Sequence, residues 1–184
     1  MEVILRAATL DDAPLIKIWD LDDAVGYSGG DDDNHDWDYE LSRSVRWREF
    51  LIAEVDSVPI GMVVIIDARQ EESHYWGEEV PPDAWAIDIW IGDQAHRSRG
   101  HGTKMMKHAL NRCFTERGAS VVMVDPLQSN RRAIAFYRRL GFKDVGPRRF
   151  GNDDCLVMSM SADDYRTVNR VARTSGAAVT DLKR

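Results

Sequence analysis

Two carboxylates stand in apolar surroundings in this chain. Asp88 lies within Ile87-Asp88-Ile89-Trp90-Ile91, and Asp125 follows the apolar run 121–124 and precedes Pro126. An acid among aliphatic neighbours is a costly choice unless it reaches solvent or a cleft, where it can hold a cation or take up a proton. Period-two alternation puts Asp88 on one strand face with Ala86 and Trp90, opposite Ile87, Ile89 and Ile91. That leaves both a plain surface position and a cleft position open for it. Asp125 sits where an apolar strand ends, and in open α/β sheets ligands gather at the C-terminal ends of strands. An amine-binding or proton-accepting role suits it, with a turn cap after Pro126 as the alternative.

A third stretch suits an anion. Arg97-Ser98-Arg99-Gly100-His101-Gly102-Thr103 follows a predicted strand and opens a predicted helix. Glycines let backbone N–H groups approach a phosphate, the helix N-terminus adds its positive end, and Arg97, Arg99 and Lys104 add full charges. The pattern is a pyrophosphate cradle. It lacks the Gly-Lys-Ser/Thr ending of a P-loop and the third glycine of a dinucleotide-binding fingerprint.

These residues need a scaffold, and the hydrophobic pattern supplies a mixed order of elements. Residues 3–6 alternate as a first strand, and Thr9 with Asp11 and Asp12 marks the start of a helix that runs to about Trp19. Residues 20–40 carry nine acidic side chains with Tyr27, Trp37 and Tyr39. That composition fits a disordered loop or a lid that closes on something positive. Residues 50–55 and 60–67, joined by a turn over 56–59, read as a hairpin. A polar loop over 69–83 leads into a strand over 84–91. The central helix spans 100–116 and stops at Gly118. A buried strand over 121–124, a helix over 131–140 ended by Gly141, a late strand over 156–160 and a final helix over 162–173 complete the chain. At 184 residues this makes one domain, residues 1–175, followed by a tail, 176–184, expected to fray.

Hydrophobic residues make up 43% and charged residues 30%, as in a globular protein in water, and the longest apolar run, 62–66, is far too short for a membrane span. The N-terminus lacks a basic leader with a long apolar stretch, so the cytoplasm is the expected compartment. Cys113 and Cys155 have no second cysteine near them, and the five histidines show no ligand spacing, so neither a disulfide framework nor a metal site is expected. The net charge of −7 conceals a split: residues 11–93 hold 22 acids against 5 bases, residues 94–184 hold 8 against 18. One half should attract cations and the other anions.

The segment Asp125-Pro126-Leu127-Gln128-Ser129-Asn130-Arg131-Arg132-Ala133-Ile134-Ala135-Phe136-Tyr137-Arg138-Arg139-Leu140-Gly141-Phe142 makes the pattern specific. Arg-x-x-Gly-x-Gly before a helix, then Asn-x-x-Ala-x-x-x-Tyr-x-x-x-Gly-Phe about thirty residues later, resembles the GNAT superfamily of acetyltransferases. Within it the chain is most similar to aminoglycoside 6′-N-acetyltransferases, over roughly residues 3–160. Tyr75-Trp76-Gly77-Glu78-Glu79 and Ala86-Ile87-Asp88 carry that closer likeness; the Asp31-Asp32-Asp33 run departs from it. The resemblance implies an α/β fold, a mixed sheet splayed where coenzyme A inserts and flanked by helices on both faces.

It also implies acetyl-coenzyme A as co-substrate and no metal. The cofactor contacts expected are Ile89 and Ile91 on the splayed strand, residues 97–103, then Asn130 for the pantetheine arm, Ala133 and Tyr137. Tyr137 would give a proton to the departing thiolate, and Asp88, with Asp125 second, would deprotonate or hold the amine. Asp33, Trp37, Tyr75, Trp76, Glu78 and Glu79, with Asp88 and Asp125, would line a cation-binding wall, since carboxylates beside aromatic faces suit ammonium groups. The expected partner is a cationic small-molecule amine, an aminoglycoside, and neither nucleic acid nor membrane. Acetylation of a siderophore intermediate, a polyamine or a protein N-terminus is the rival within enzymes, and a non-catalytic coenzyme A-binding module is the rival outside them.

Overall fold

The computed structural model describes residues 2–22, 25 and 35–180. Its elements run β1 (Ile4–Ala7), α1 (Ala13–Asp20), α2 (Trp37–Ser42), β2 (Arg48–Val55), β3 (Val58–Asp67), β4 (Ala84–Trp90), α3 (His101–Asn111), β5 (Val121–Val124), α4 (Arg131–Leu140), β6 (Lys143–Phe150), β7 (Asp153–Ser161) and α5 (Ala162–Thr180). The seven strands form one sheet in the order β1-β2-β3-β4-β5-β7-β6. All neighbours are antiparallel except β4 and β5. The α/β class and the splayed sheet expected from the sequence are present.

Several boundaries differ for local reasons. The hairpin turn is only Asp56-Ser57, both with positive φ (51° and 65°), so Val58 and Pro59 already belong to β3. Such a two-residue turn matches the right-handed twist of its strands. The first helix opens with a 3-10 turn over Leu10–Asp12, and α3 relaxes into a π-helical stretch over Arg112–Glu116. Helix α2 was not expected: Asp36 caps it by accepting from the Tyr39 N–H. Helix α5 continues past 173, so residues 176–180, assigned to the tail, are helical. No helix among the described residues is long and apolar enough to cross a membrane.

The splay has a visible cause. The β4–β5 ladder holds only Ala84↔Val121, Trp85↔Val122 and Ala86↔Met123. Beyond Val124 the chain stays with β7 instead: the Leu156 N–H donates to the Pro126 carbonyl at 2.9 Å and the Gln128 N–H to the Asp154 carbonyl at 2.8 Å. From Ile87 onward β4 keeps its β3 partner and loses its β5 partner. The gap opens between that bare edge and residues 125–128.

One face of the sheet carries the largest core, where Met105, Met106, Ala109 and Leu110 of α3 and Ile134 of α4 pack on Ile65, Ile87, Val122 and Val124. The opposite face is divided. Ala13, Ile16, Trp19 and Trp37 cover Ile52, Met62 and Val64, while Trp76 and Val80 cover Ala84, Ala86, Cys155 and Val157. Asp88 pairs with Val64 and follows Ala86 by two residues, so it lies between these two clusters.

The end of β4 passes hard against β3. A Cβ at Gly61 would stand 2.3 Å from the Trp90 carbonyl oxygen and 2.9 Å from the Ile91 Cα. Both are backbone atoms and cannot rotate away. Gly61→Ala is therefore expected to lower stability by about 1–3 kcal/mol, read from the urea midpoint. An unchanged midpoint would mean that the two strands part at no cost.

Candidate active site

Sheet and splay together enclose a cavity of about 910 Å³, lined among others by Asp88, Asp125, Tyr75, Asn130, Ala133 and Tyr137. Three elements therefore bring the proposed catalytic residues to one place: β4 supplies Asp88, the chain after β5 supplies Asp125, and α4 supplies Tyr137. Period two decides the position of Asp88. Ile87 points into the α3 core and Ile89 packs against it, which turns Asp88 to the cavity face with Ala86 and Trp90.

Asp125 is a half-buried carboxylate lining the cavity. The Tyr75 hydroxyl donates to its Oδ2 at 2.6 Å. Burial pushes its carboxyl above the ordinary range, against the opposing pull of the Tyr75 hydrogen bond and the Arg148 charge. The Tyr75 hydroxyl is raised as well, first by burial and then by the Asp125 charge, so it remains a donor. Tyr137 is 8% exposed, packed edge-on by Phe136 and Phe142. Its hydroxyl is raised by burial and by the charges of Asp88 and Asp125, which places both acids within its electrostatic reach.

Helix α4 is presented by its own cap. The Asn130 Oδ1 accepts from the Ala133 N–H at 3.0 Å, and Gly141, with φ 102°, closes the other end. Capping consumes the Asn130 oxygen, which leaves its amide NH2 as the group for a ligand in the cavity that Asn130 lines.

The expected cradle lies at the mouth of the splay. The left-handed Gly100 (φ 82°) precedes α3, whose first-turn N–H groups have no partner within the helix. A Cβ on Gly102 would make ordinary contact at 3.8 Å with both Ile91 and Phe136, so this turn sits between the end of β4 and α4. The Arg132 Nη2 crosses to the Ser98 Oγ at 2.8 Å. Arg99 and Ser98 are exposed there and Thr103 is half-buried.

Two cradle residues serve differently from the sequence expectation. Arg97 points back: its Nε donates to the Ile91 carbonyl at 2.9 Å and its Nη2 to the Gly92 carbonyl at 3.0 Å, while it pairs with Asp22. It pins the loop to the end of β4 through the carbonyl of Ile91, a residue expected to contact the cofactor. The His101 ring is buried beside His96, with centroids 5.5 Å apart, and its Nδ1 has no hydrogen-bond partner. Burial lowers its pKa, so it offers the cradle an N–H of the backbone and not a charge.

The residues expected to form a cation-binding wall gather only in part at the cavity. Tyr75 and Trp76 line the cavity, although Trp76 is chiefly core, edge-on to Phe150. Trp37 also touches the cavity, but it is 2% exposed and its indole N–H donates to Asp20, so it is the inward residue of α2 and not a lid. Glu78 and Glu79 are absent from the lining; Glu78 faces His74 across 3.8 Å. Asp31, Asp32 and Asp33 lie outside the described residues.

Three other acids, Asp20, Glu71 and Asp153, line the same cavity. Glu71 accepts from the Ser73 and Tyr75 N–H groups and so shapes the turn that presents Tyr75. Among the described residues one guanidinium, that of Arg48, lines the cavity with them. It pairs with Glu40 and lies over the rings of Trp47 (4.6 Å) and Phe50 (4.2 Å). Alternation in Arg48-Glu49-Phe50 could have placed Arg48 on the cavity face. Nothing local could have brought in Asp20 or Asp153, which arrive through tertiary contact. Among the described residues no group of three or more His, Cys, Asp or Glu could hold a metal ion.

Comparison with known proteins agrees with this geometry. A family model described as an acetyltransferase (GNAT) domain matches residues 8–150. An aminoglycoside N(6′)-acetyltransferase type 1 from Serratia marcescens is 26% identical over 121 residues, 66% of this chain and 60% of that protein. A Kanamycin resistance protein from Rhizobium radiobacter is 30% identical over 76 residues, 41% of this chain and 70% of that one. The chain thus spans about 60% of the length of the first of these relatives. Among solved structures, AAC(6′)-Ib in complex with paromomycin and acetyl-coenzyme A superposes with TM-score 0.80 at 22% identity, over 90% of this chain and 97% of that one. A spermidine N-acetyltransferase chimera from Vibrio cholerae and a second source gives TM-score 0.71 at 18% identity, over 90% and 98%. At these identities the structures speak for the fold.

Proposed function

Because the chain belongs to the GNAT acetyltransferase family, whose model covers residues 8–150, we propose that it transfers acetyl from acetyl-coenzyme A to a primary amine of an aminoglycoside, at the 6′ position. The observation that carries this reading is the pairing of Asp88 and Asp125 in one cavity with Tyr137, directly at the splay of the sheet. A fit for coenzyme A is supported by the bare edge of β4 beyond Ala86, the open turn at Gly100 before α3, and the Asn130 amide. When bound, acetyl-coenzyme A supplies an activated acyl group on a thioester.

The protein's own residues have three tasks. A primary amine is largely an ammonium ion at neutral pH and becomes nucleophilic only after losing a proton. Asp88, on the rigid strand beside the gap, accepts that proton, and Asp125 holds the ammonium or a neighbouring one beside the Tyr75 ring. Among the described residues, five carboxylates against Arg48 make the cavity a well for polycations, the more so because Arg48 is itself paired with Glu40. Tyr137 keeps its proton, since its hydroxyl is raised far above a thiol's ordinary value of about 8.5. Full proton transfer from it to a thiolate is uphill, so it serves as a hydrogen-bond donor to the leaving sulfur. Its contribution is smaller than that of the carboxylates. The reading places the enzyme in the cytoplasm, where acetyl-coenzyme A is used.

A polyamine acceptor is the second reading, favoured by the acidic cavity and the likeness to the spermidine enzyme. Release of coenzyme A thiol with kanamycin, tobramycin, spermidine, lysine and an N-terminal peptide separates the two. Turnover confined to the aminoglycosides supports the first, and turnover confined to spermidine replaces it with the second. Silence with all five amines, with acetyl-coenzyme A still bound, would sink both. The acidic wall also predicts that the KM for a tribasic or tetrabasic amine rises several-fold as salt shortens the screening length from about 30 Å towards 8 Å. A KM independent of salt would remove long-range attraction from the mechanism.

A further inference from the structure

We propose that Arg148 is a positioning residue for the ammonium-binding carboxylate Asp125, acting through Tyr75; the proposal rests on the amine-holding role given to that carboxylate above. Arg148 lies on β6, opposite Cys155. Its guanidinium turns back over the Phe150 ring, 4.6 Å from the centroid, and reaches the loop that carries Tyr75. Nη1 donates to the Trp76 carbonyl at 2.7 Å and Nη2 to the Tyr75 carbonyl at 3.4 Å. The loop is shaped to this contact: Gly77 has φ 86°, and a Cβ there would stand 3.3 Å from Nη2.

The same Phe150 ring stacks on Tyr75, with centroids 4.2 Å apart and planes at 6°. Arg148, Phe150 and Tyr75 thus form a column whose last member donates its hydroxyl to Asp125 at 2.6 Å. A loop of about fifteen residues without regular structure would otherwise sample many positions for that hydroxyl. Two carbonyl clamps and a ring stack select one. The guanidinium also lies close enough for its charge to favour ionised Asp125.

Other groups act on Asp125 besides Arg148. Tyr75 donates to it, Asp153 and Cys155 approach from β7, and Asp88 and Tyr137 share its cavity. None of the others is a cation, so removal of Arg148 takes away the one positive charge among these partners. Its loss should make Asp125 harder to ionise, and the titration should move to higher pH.

The test follows the Asp125 carboxyl by carbon NMR with labelled aspartate in wild type, Arg148→Ala, Tyr75→Phe and the double variant. Kanamycin kinetics and thermal unfolding accompany it. The expected result is a higher titration midpoint in both single variants. The KM for kanamycin is expected to rise about tenfold in each, and the double variant to lose no more KM than Tyr75→Phe alone, as for groups acting in one network. Arg148→Lys, which keeps the charge and one donor, should restore the midpoint and part of the KM. An unchanged midpoint, or KM losses that multiply, would overturn the proposal even if stability falls. Should Arg148→Ala not fold, Arg148→Lys and Tyr75→Phe against wild type still decide it, because an unmoved Tyr75→Phe midpoint sinks the route through the hydroxyl. Absence of kanamycin turnover in wild type would instead count against the function, while the titration still judges the positioning.

Discussion

Asp88→Asn is expected to lower kcat by about a hundredfold or more, the scale on which a positioned general base contributes, while leaving binding of coenzyme A and the unfolding midpoint close to wild type. The substitution keeps shape and removes only charge and basicity. Asp88 stands on the cavity face of β4, with Ile87 packed into the α3 core behind it, so no packing is lost. Activity should therefore fall without a fall in stability. Pre-steady-state mixing gives the decisive reading: the acetyl-transfer step itself must slow. If kcat is unchanged and only the amine KM rises, Asp88 is a binding group and the proton leaves by another route.

Asp125→Asn should separate function from stability in the opposite direction. Burial raises the Asp125 carboxyl above its ordinary value, so between those two values the folded protein holds a proton that the unfolded chain has released. Stability therefore falls as pH rises through that window, and at neutral pH the ionised, enclosed carboxylate is a net cost. The asparagine oxygen can still accept from Tyr75, and the charge is gone. The variant is expected to unfold at a urea concentration equal to or higher than wild type at pH 7, with the advantage vanishing below about pH 4, where an ordinary aspartate is protonated in both states. Meanwhile kcat/KM for a polycationic amine should drop by about tenfold or more, as for a lost charge-assisted contact of roughly 1.5 kcal/mol. A destabilised variant at pH 7 would show that Asp125 is a structural anion and not a strained functional one.

Both predictions depend on residues whose placement was legible to different degrees. Asp88 was readable because strand alternation is strict: once Ile87, Ile89 and Ile91 are assigned to the core face, Asp88 must point the other way. Asp125 was readable from its place at a strand end before proline. Residues 130–142 announced their helix with an asparagine cap and a left-handed glycine, and both are as expected. The glycine turn before α3 was legible as backbone, and the directions of its side chains were not. Arg97 carries a charge that suits a phosphate, but the nearest bare carbonyls, Ile91 and Gly92, are in its own fold. His101 was grouped with the cradle from its neighbours, and its ring is buried beside His96, which comes from the short turn before the cradle.

The acidic wall shows where a linear reading runs out. Charge density in residues 11–93 pointed to a cation site, yet Glu78 and Glu79 are absent from the cavity lining while Asp20, Glu71 and Asp153 belong to it. Charge counts do not say which of many neighbouring carboxylates a loop directs inward, because a turn of one residue reverses the direction.

What the chain determines by itself is local and periodic: strand faces, helix caps, the glycine turn before α3, and the pair of acids in apolar context, each set by contacts within a few residues. The gap between β4 and β5 is decided only in three dimensions. It arises because the segment after Val124 bonds to β7 in preference to β4, a choice between two non-local partners. The same holds for the column from Arg148 through Phe150 and Tyr75 to Asp125. Its members are up to 73 positions apart, and the pairings of β4 with β5, β5 with β7 and β7 with β6 bring them together.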